Sequence, residues 1–304
     1  MLSLLAGAAA LLLREAGGQP ARNLPSRPAA APTVVSAPAS RPATHPASFK
    51  VATFNILYVN RDLKAVADTI RAADADVVCL QETNDPSERY LRAQLGKVYP
   101  YATFRNGEAA CGFGVLSKVP LRNVKHLPAK FGWFGTHVCE ANLAGRAVQI
   151  VDVHLQPTVP PENANLAQAV ALWARGEATR AREIEYILQN TSAKLPRLIA
   201  GDFNAMPEWS ATTVLKQKGF VDGLASACKD HAKMTTWKGG RKDTELSLRV
   251  DYVFHPPALR TTEARILPCG ASDHSLVVCT LSWAAPATAP ASRPASPPTP
   301  PKGR

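Results

Sequence analysis

Aromatic residues make up only 7% of the chain, no two cysteines have the CxxC spacing, and no internal repeat is visible. The lack of ligating cysteine pairs disfavours a structural zinc site. The apolar run at residues 2–13 is shorter than the roughly 20 residues that a membrane-spanning helix needs. Hydrophobic residues nevertheless account for 46% of 304 positions, which excludes a wholly disordered protein and is enough for one large domain.

The 26 prolines are concentrated at the two ends of the chain, before residue 48 and after residue 285. Alanine, proline, serine and threonine dominate these ends and offer too little apolar area to offset the chain entropy lost on folding. We therefore predict a disordered linker at 19–47, one folded domain at 48–285 and a disordered tail at 286–304.

The apolar run at residues 2–13 is followed by small residues, a pattern typical of a signal peptide. We predict export to the periplasm or the extracellular space, with residues 1–18 acting as a signal peptide or as a membrane anchor. The basic residues that usually precede such a run are missing, which leaves an interfacial anchor or a misplaced start codon as alternatives. No cysteine follows the run, so a lipoprotein anchor is excluded.

The formal net charge of +11 belongs largely to the two ends. Residues 48–285 contain 28 basic and 23 acidic side chains, which leaves +5 for the predicted domain. A mild basic excess suits a polyanionic partner such as nucleic acid without requiring one.

The six cysteines have different sequence contexts, but their spacing does not fix any pairing. Cys79 and Cys279 lie inside apolar runs and are predicted to be buried thiols. The other four, Cys111, Cys139, Cys228 and Cys269, are predicted at strand or loop edges. Both disulfide-bonded and reduced cysteines stay open at this point.

Alternating and helical apolar patterns divide the domain into strands and helices, with both parallel and antiparallel pairing expected. A hairpin is predicted to turn at residues 144–146. The predicted strands are 49–57, 77–80, 112–118, 136–143, 146–155, 197–201, 249–254, 261–267 and 275–283, and the predicted helices are 61–76, 162–189 and 211–218.

Polar side chains repeatedly follow the apolar strand runs. One such residue is usually a strand terminator or a helix cap, but this recurrence indicates a functional site, because sites are built at strand ends. The residues are Asn55, Glu82, His154, Asp202, Asn204 and Asp251, joined by the pair Asp273 and His274.

The residue types in this set agree on one kind of chemistry. Carboxylates and carboxamides are oxygen ligands that suit Mg²⁺ or Mn²⁺, and the shortage of ligating cysteine and histidine pairs disfavours zinc. Two histidines and further carboxylates can then handle protons and position water. Such a set serves metal-assisted attack on phosphorus.

The ordered motifs FNI, LQE, GFGVLSK, VDVHL, GDFN, RVDYVF and SDH resemble those of the endonuclease/exonuclease/phosphatase superfamily. The resemblance covers essentially all of residues 48–285. It implies an α/β fold in which a two-sheet β-sandwich is flanked by helices in four layers. It also implies a monomeric, divalent-metal-dependent phosphoesterase that binds Mg²⁺ or Mn²⁺.

The resemblance also implies roles for individual residues. Glu82 corresponds to the metal-binding glutamate and Asn55 to the asparagine that supports metal and phosphate. Asp202 would orient or deprotonate the attacking water, and Asn204 would bind a phosphoryl oxygen. Asp273 would help to hold the site histidine or a second metal.

The resemblance implies different roles for the two histidines of these motifs. His274 would contact the scissile phosphate, as a base or as an electrostatic stabiliser, with its ring oriented by Asp251. His154 stands where deoxyribonuclease-like and sphingomyelinase-like members carry histidine and abasic-site enzymes carry tyrosine. It is the candidate for leaving-group protonation.

Some residues match no motif of this set. Five histidines are predicted to be surface or packing residues. They are His45, His126, His137, His231 and His255. The basic segment 238–242 is more simply explained as a solvated face than as a substrate contact.

The resemblance implies the reaction but not the substrate, because sites of this kind cut nucleic acids, phospholipids and inositol phosphates. Thr236 and Trp237 resemble a segment of exonuclease-type members, and the basic excess favours a polyanion. An exported nuclease-like phosphodiesterase is therefore the first hypothesis, with a phospholipid or sugar-phosphate esterase as the second. A catalytically inactive binding module is a third, opposed by the retention of Glu82, Asp202 and His274.

Overall fold

The structure is a computed structural model that describes residues 48–158, 165–241 and 244–284. The predicted signal or anchor at 1–18, the linker at 19–47 and the tail at 286–304 lie outside the described residues, as do His45 and Lys242. No helix in the described ranges is long and apolar enough to cross a membrane.

Six strands form the first sheet: β1 (Ser48–Asn55), β2 (Val77–Gln81), β3 (Tyr101–Arg105), β4 (Phe113–Ser117), β13 (Leu259–Pro268) and β14 (Ser275–Trp283). Their spatial order is β13-β14-β1-β2-β4-β3. β1 and β2 are parallel, and every other neighbouring pair in this sheet is antiparallel.

Six further strands form the second sheet: β5 (Leu121–Leu127), β6 (Thr136–Leu143), β7 (Arg146–His154), β8 (Arg197–Asp202), β9 (Val221–Asp222) and β12 (Asp251–His255). They lie in the order β5-β6-β7-β8-β12-β9, with β7 and β8 parallel. A separate hairpin consists of β10 (Trp237–Arg241) and β11 (Thr244–Leu248), so residues 238–241 of the basic segment 238–242 belong to one strand, β10.

Five helices complete the described fold: α1 (Leu63–Ala73), α2 (Asp85–Leu95), α3 (Leu166–Asn190), α4 (Ser210–Gln217) and α5 (Gly223–Ala227). Helix α3 begins at Leu166, where the Asn165 side chain accepts a hydrogen bond from the Gln168 backbone amide and the Gln168 side chain accepts one from the Asn165 backbone amide. This reciprocal cap fixes the N-terminus of α3.

The sheets and helices stack in four layers. One apolar core lies between the two sheets and includes Val51 of β1 and Ile150 of β7. A second core joins α1 and α2 to the outer face of the first sheet, and a third joins α3 and α4 to the outer face of the second. The predicted helix-flanked two-sheet sandwich is confirmed.

Several local predictions need correction. Helix α2 and strands β3 and β5 were not predicted, because their faces are only partly apolar. Cys139 was predicted at an edge but lies buried in the middle of β6, and Arg249 precedes its strand instead of opening it. All six cysteines, each within the described ranges, are free thiols.

Alternate residues of each strand lie on the same face, so the face that lines the core also leads to the site residues at the end of the strand. In β8, Leu198 and Ala200 face the space between the sheets, and Asp202 is the next residue on that face. In β1 the same face continues from Val51 through Thr53 to Asn55. The face therefore changes from apolar to polar at one end of the sandwich.

Candidate active site

The polar residues predicted from the sequence meet at one end of the sandwich, between the two sheets. In the second sheet, Asp202 pairs across the ladder with His154 on one side and with Asp251 on the other. In the first sheet, Asn55 ends β1 beside the end of β2, directly before Glu82. Five strand ends, those of β1, β2, β7 and β8 and the start of β12, therefore meet around one site.

Glu82 follows β2 in a left-handed backbone conformation, with φ of 61°. Its Oε1 accepts a hydrogen bond of 2.9 Å from Asn55 Nδ2, and its Oε2 accepts one of 3.0 Å from the backbone amide of Tyr58. Burial raises the pKa of Glu82, and these two donors oppose the rise. The carboxylate is thus held by two groups that favour its charged form.

Asp202 lies at the centre of the site. Its Oδ1 accepts from the amide of Asn204 at 2.8 Å, and its Oδ2 accepts from Asn55 Nδ2 at 3.2 Å. The same Oδ2 lies 3.6 Å from Nε2 of His154 and 3.6 Å from Nε2 of His274. Burial raises the pKa of Asp202, while the charge of His274 works in the opposite direction.

His274 and Asp251 form a buried pair. His274 Nδ1 lies 2.9 Å from Oδ2 and 3.1 Å from Oδ1 of Asp251. Burial alone lowers the pKa of an imidazole, but here the carboxylates of Asp251 and Asp202 outweigh it and raise the pKa of His274. The ring is therefore a cation at neutral pH, with Nε2 directed to the same oxygen that His154 approaches.

A buried threonine fixes Asp251 in turn. Thr236 is fully buried, and its Oγ1 accepts from the backbone amides of Val250 and Asp251 at 2.9 and 3.1 Å. The following residue, Trp237, forms an isolated β-bridge with His274. Thr236 and Trp237 therefore hold the backbones of both members of the pair.

His154 is buried beneath an aromatic ring. Phe134 stacks on its imidazole with ring centroids 3.9 Å apart and planes inclined by 10°. Burial and the nearby charge of His274 lower the pKa of His154 to about 3, so the ring is neutral at neutral pH. The predicted role as leaving-group acid therefore requires the negative charge of a bound phosphate to raise this pKa.

Asn204 and Asp273 lie at the border of the cleft. Asn204 has φ of 47°, and its Nδ2 donates to the carbonyl of Leu155 at 3.0 Å, which ties the loop after β8 to the loop after β7. Asp273 Oδ2 accepts from Trp237 Nε1 at 2.9 Å. Asp273 makes no hydrogen bond to the His274 ring among the described contacts, so the predicted support of that ring comes from Asp251.

The family model described as endonuclease/exonuclease/phosphatase matches residues 52–274 of this chain. The match spans most of the sequence and contains all eight predicted site residues. The chain belongs to the endonuclease/exonuclease/phosphatase family. It is accordingly a phosphoesterase hydrolase, and the family is generally dependent on divalent metal ions.

Solved structures of the family share the fold at low sequence identity. An endonuclease/exonuclease/phosphatase protein from Beutenbergia cavernae is 18% identical, with a TM-score of 0.59 over 78% of this chain and 72% of that one. The human Nocturnin catalytic domain is 20% identical, with a TM-score of 0.58 over 80% and 97%. D. rerio TDP2 with a single-strand DNA product is 15% identical, with a TM-score of 0.59 over 77% and 99%. No curated protein matched the chain.

The donor set of the family site fits a hard divalent cation. Glu82 offers a carboxylate fixed by neighbouring donors, and Asp273 Oδ1 is a buried oxygen without a hydrogen-bond partner. An unsatisfied buried carboxylate oxygen beside a second carboxylate is a ligand arrangement that Mg²⁺ and Mn²⁺ favour. Asp202, Asp251 and His274 also lie within 4.8 Å of one another, but the Asp251–His274 hydrogen bond occupies one ring nitrogen.

A polar bridge below the site joins the two sheets. Gln81 Nε2 donates to Asp152 Oδ1 at 2.7 Å and to Thr53 Oγ1 at 3.1 Å, and all three residues are fully buried. Burial raises the pKa of Asp152, and the hydrogen bond from Gln81 opposes the rise. The bridge connects the strand that leads to Glu82 with the strand that carries His154.

Sequence reasoning missed several residues that shape the site. Tyr58 acts through its backbone amide, which carries no side-chain signal. Phe134 lies 20 positions before the histidine on which it stacks. Ser272, in the SDH motif, accepts from the His274 amide at 3.1 Å and donates to the Asn55 carbonyl at 2.9 Å.

The remaining described histidines show the contacts of packing residues. His137 Nε2 lies 3.2 Å from Thr103 Oγ1, and His255 Nε2 lies 3.0 Å from Thr261 Oγ1. Both rings are buried, and burial lowers their pKa values. They lie outside the cluster around Asp202.

Proposed function

We propose that this chain is a divalent-metal-dependent phosphodiesterase that hydrolyses nucleic acid by in-line attack of water on phosphorus. The observation that carries the proposal is the convergence on one oxygen, Asp202 Oδ2, of the Asn55 amide and the two imidazoles of His154 and His274. An acceptor among three polar groups is suited to orient a nucleophile against an anionic centre.

His274 supplies positive charge to the substrate. Its Nδ1 is engaged by Asp251, so Nε2 is the nitrogen that faces the cleft. A buried imidazolium donates to a phosphoryl oxygen and stabilises the charge that develops there. Because the backbone amide of Asp251 is held by Thr236 and its carboxylate by the His274 ring, the pair needs little reorganisation during the reaction.

Asp202 orients the attacking water. The Asn204 amide and the Asn55 side chain restrict its two oxygens, so the carboxylate presents a defined direction to the cleft. It accepts the water proton as the oxygen approaches phosphorus. Asn204 retains one amide hydrogen beyond its bond to Leu155 for a phosphoryl oxygen.

Glu82, Asn55 and Asp273 would hold Mg²⁺ or Mn²⁺. When bound, such an ion supplies charge that neutralises the phosphoryl oxygens. Glu82 is presented by the Asn55 amide and the Tyr58 backbone, which keeps it from rotating away from the cleft.

Nucleic acid is the favoured substrate because the predicted domain has a net charge of +5 and a family member of the same fold, D. rerio TDP2, was solved with a single-strand DNA product. We also propose, from the apolar run at 2–13, that the enzyme is exported and that residues 48–285 act as one monomeric catalytic domain. Cell fractionation with an antibody to the chain tests export, and sedimentation tests the monomer.

A substrate panel tests the proposed reaction. Single-stranded DNA, duplex DNA, RNA, sphingomyelin vesicles and inositol polyphosphates are incubated with the enzyme in Mg²⁺ or in EDTA. We expect one of the nucleic acids to be hydrolysed with the highest kcat/KM of the panel, and only in the presence of Mg²⁺. Preferential cleavage of sphingomyelin or inositol phosphate would contradict the proposal that nucleic acid is the substrate. Binding of a substrate without any hydrolysis would identify a catalytically inactive binding module.

A further inference from the structure

One aromatic side chain stands exposed beside the site without a role in the reaction proposed above. Three large hydrophobic residues are exposed among those the structure describes: Val59, Val98 and Trp133. Trp133 is the aromatic one, with 55% of its surface exposed. Its ring contacts Phe134 edge-on, with centroids 6.3 Å apart, and Phe134 is the ring that stacks on His154.

The segment that carries Trp133, residues 128–135 between β5 and β6, is fixed on both sides of the indole. A Cβ at Gly132 would lie 2.0 Å from Oε1 of Glu183, and a Cβ at Gly135 would lie 2.4 Å from the Leu127 carbonyl. Neither residue has room for a side chain, so the backbone packs closely on α3 before the indole and on β5 after it. Trp133 is thus held outward by a well-packed backbone.

Two cationic side chains are associated with the segment that carries this indole: Lys130 belongs to the segment, and Arg182 contacts its residue Phe131. Lys130 Nζ is 5.4 Å from the Tyr186 ring, and the Arg182 guanidinium is 4.1 Å from the Phe131 ring. Lys130 and Arg182 are both exposed. An outward indole on a segment that also presents positive charge suits a ligand that is both planar and anionic, which describes a nucleotide. A lipid surface instead requires a wide apolar patch, and Trp133 is a single side chain.

We propose that Trp133 is a stacking platform for an unpaired base next to the scissile phosphate. This inference rests on the proposed nuclease function and names its preferred substrate as single-stranded nucleic acid. Side-chain contacts run from Asp202 through His154 and the buried Phe134 to Trp133, so the indole is on the side of the site where a nucleotide attached to the scissile phosphate can reach it. Bases in a duplex are already stacked on each other and cannot use the indole face.

Kinetics with matched substrates test the platform. The substrates are an oligodeoxyadenylate, a chain of equal length whose residues are abasic, a duplex, and methyl p-nitrophenyl phosphate. We expect Trp133→Ala to lower kcat/KM on the oligodeoxyadenylate about tenfold through KM, the scale of one base–aromatic stack. Trp133→Phe should recover part of the loss, and the other three substrates should be cleaved at the wild-type rate.

Val98→Ala is the matched control, because Val98 is also an exposed apolar residue (42%) but lies before β3, at the end of the sheet away from the site. It should leave all rates unchanged. An equal loss by Trp133→Ala on every substrate would mean that the indole only supports Phe134 and His154. Wild-type rates for Trp133→Ala on the oligodeoxyadenylate would overturn the platform directly.

A binding measurement separates failure of the platform from failure of the proposed function. Fluorescence of a single-stranded oligonucleotide containing 2-aminopurine is followed with Glu82→Gln enzyme, with and without Trp133→Ala. If 2-aminopurine fluorescence is quenched only when Trp133 is present, but the wild-type enzyme does not hydrolyse the oligonucleotide, the proposed reaction is contradicted and the stacking platform is supported. Hydrolysis without Trp133 dependence, or a Trp133 requirement confined to sphingomyelin vesicles, would contradict the platform alone.

Discussion

Nδ1 of His274 lies 2.9 Å from Oδ2 of Asp251, although 23 positions separate the two residues in sequence. The contact is buried, and it joins the start of β12 to the residue before β14. It directs the other ring nitrogen, Nε2, towards the cleft. The chemistry proposed for the site depends on these two residues acting together.

The first prediction concerns this pair. We expect His274→Ala and Asp251→Asn each to lower kcat by at least about 100-fold, the lower range for groups that transfer protons or stabilise charge in the transition state. The double variant should be little worse than His274→Ala, because residues that act as a unit are not additive. Steady-state kinetics on one nucleic acid substrate measures all three.

A separate readout distinguishes a pair from two independent residues. Asp251→Asn removes the carboxylate that raises the pKa of His274, so the NMR titration of that ring should move to lower pH. Multiplicative kinetic losses, or an unchanged titration, would show that the two residues do not work together.

The pairing of His274 with Asp251 was implied by the resemblance to the family, whereas the strand-end positions of other site residues were predictable from the sequence pattern. In the runs before Asn55 and Asp202, apolar residues alternate onto one face and a polar residue follows on the same face. A polar residue that continues an apolar face at a strand end has no core to enter, so it lines a cleft. The residue types then indicated the chemistry.

Contacts between residues that are distant in sequence were not predictable from this pattern. The stacking of Phe134 on His154 and the Trp237 bond to Asp273 depend on how loops pack after the sheets meet. Backbone donors such as Tyr58 leave no sequence pattern. Helix α2 was missed because, of its eleven residues, Ser87, Leu91 and Leu95 are the buried ones, which gives a weak apolar stripe.

The second prediction concerns a buried ion pair away from the site. Arg249 donates to both carboxylate oxygens of Asp222, at 3.2 and 2.6 Å, and both side chains are almost fully buried. Arg249→Met leaves the carboxylate buried without its cation and should lower the free energy of unfolding by about 3–5 kcal/mol. Urea denaturation monitored by circular dichroism measures this difference.

Adding Asp222→Asn to Arg249→Met provides the control, because asparagine keeps the side-chain oxygen that caps α5 at Ala225. The double variant should be more stable than Arg249→Met alone. Equal stability of the two variants would mean that an unpaired charge is not the source of the loss.

The third prediction concerns the pH dependence of stability. Glu183 is buried on α3 and accepts from the Gln156 amide at 3.0 Å; burial raises the pKa of Glu183 from 4.5 to about 7. Between these two values the unfolded chain loses the proton while the folded protein keeps it. The contribution of Glu183 to the free energy of unfolding therefore decreases as pH rises from about 4.5 to 7.

Glu183→Gln removes this titration and keeps an oxygen acceptor for Gln156. We expect its stability relative to wild type to increase by about 3 kcal/mol between pH 4.5 and pH 8. This is slightly less than the whole pKa difference converted at about 1.4 kcal/mol per unit, because half of the unfolded chains have already lost this proton at pH 4.5. Urea denaturation of both proteins at the two pH values provides the measurement. A stability difference that is the same at both pH values would contradict the raised pKa.

The central claim is that Glu82 binds a divalent ion that the phosphodiesterase reaction requires. Glu82→Gln is nearly isosteric and removes the charge, but its single oxygen cannot accept from both Asn55 and Tyr58. We therefore expect a retained fold with a slightly lower melting temperature, loss of Mg²⁺ binding in calorimetry and loss of Mg²⁺-dependent hydrolysis. Glu263→Gln, on an exposed glutamate of β13, is the matched control and should behave as wild type. Full Mg²⁺ binding and turnover by Glu82→Gln would contradict the account.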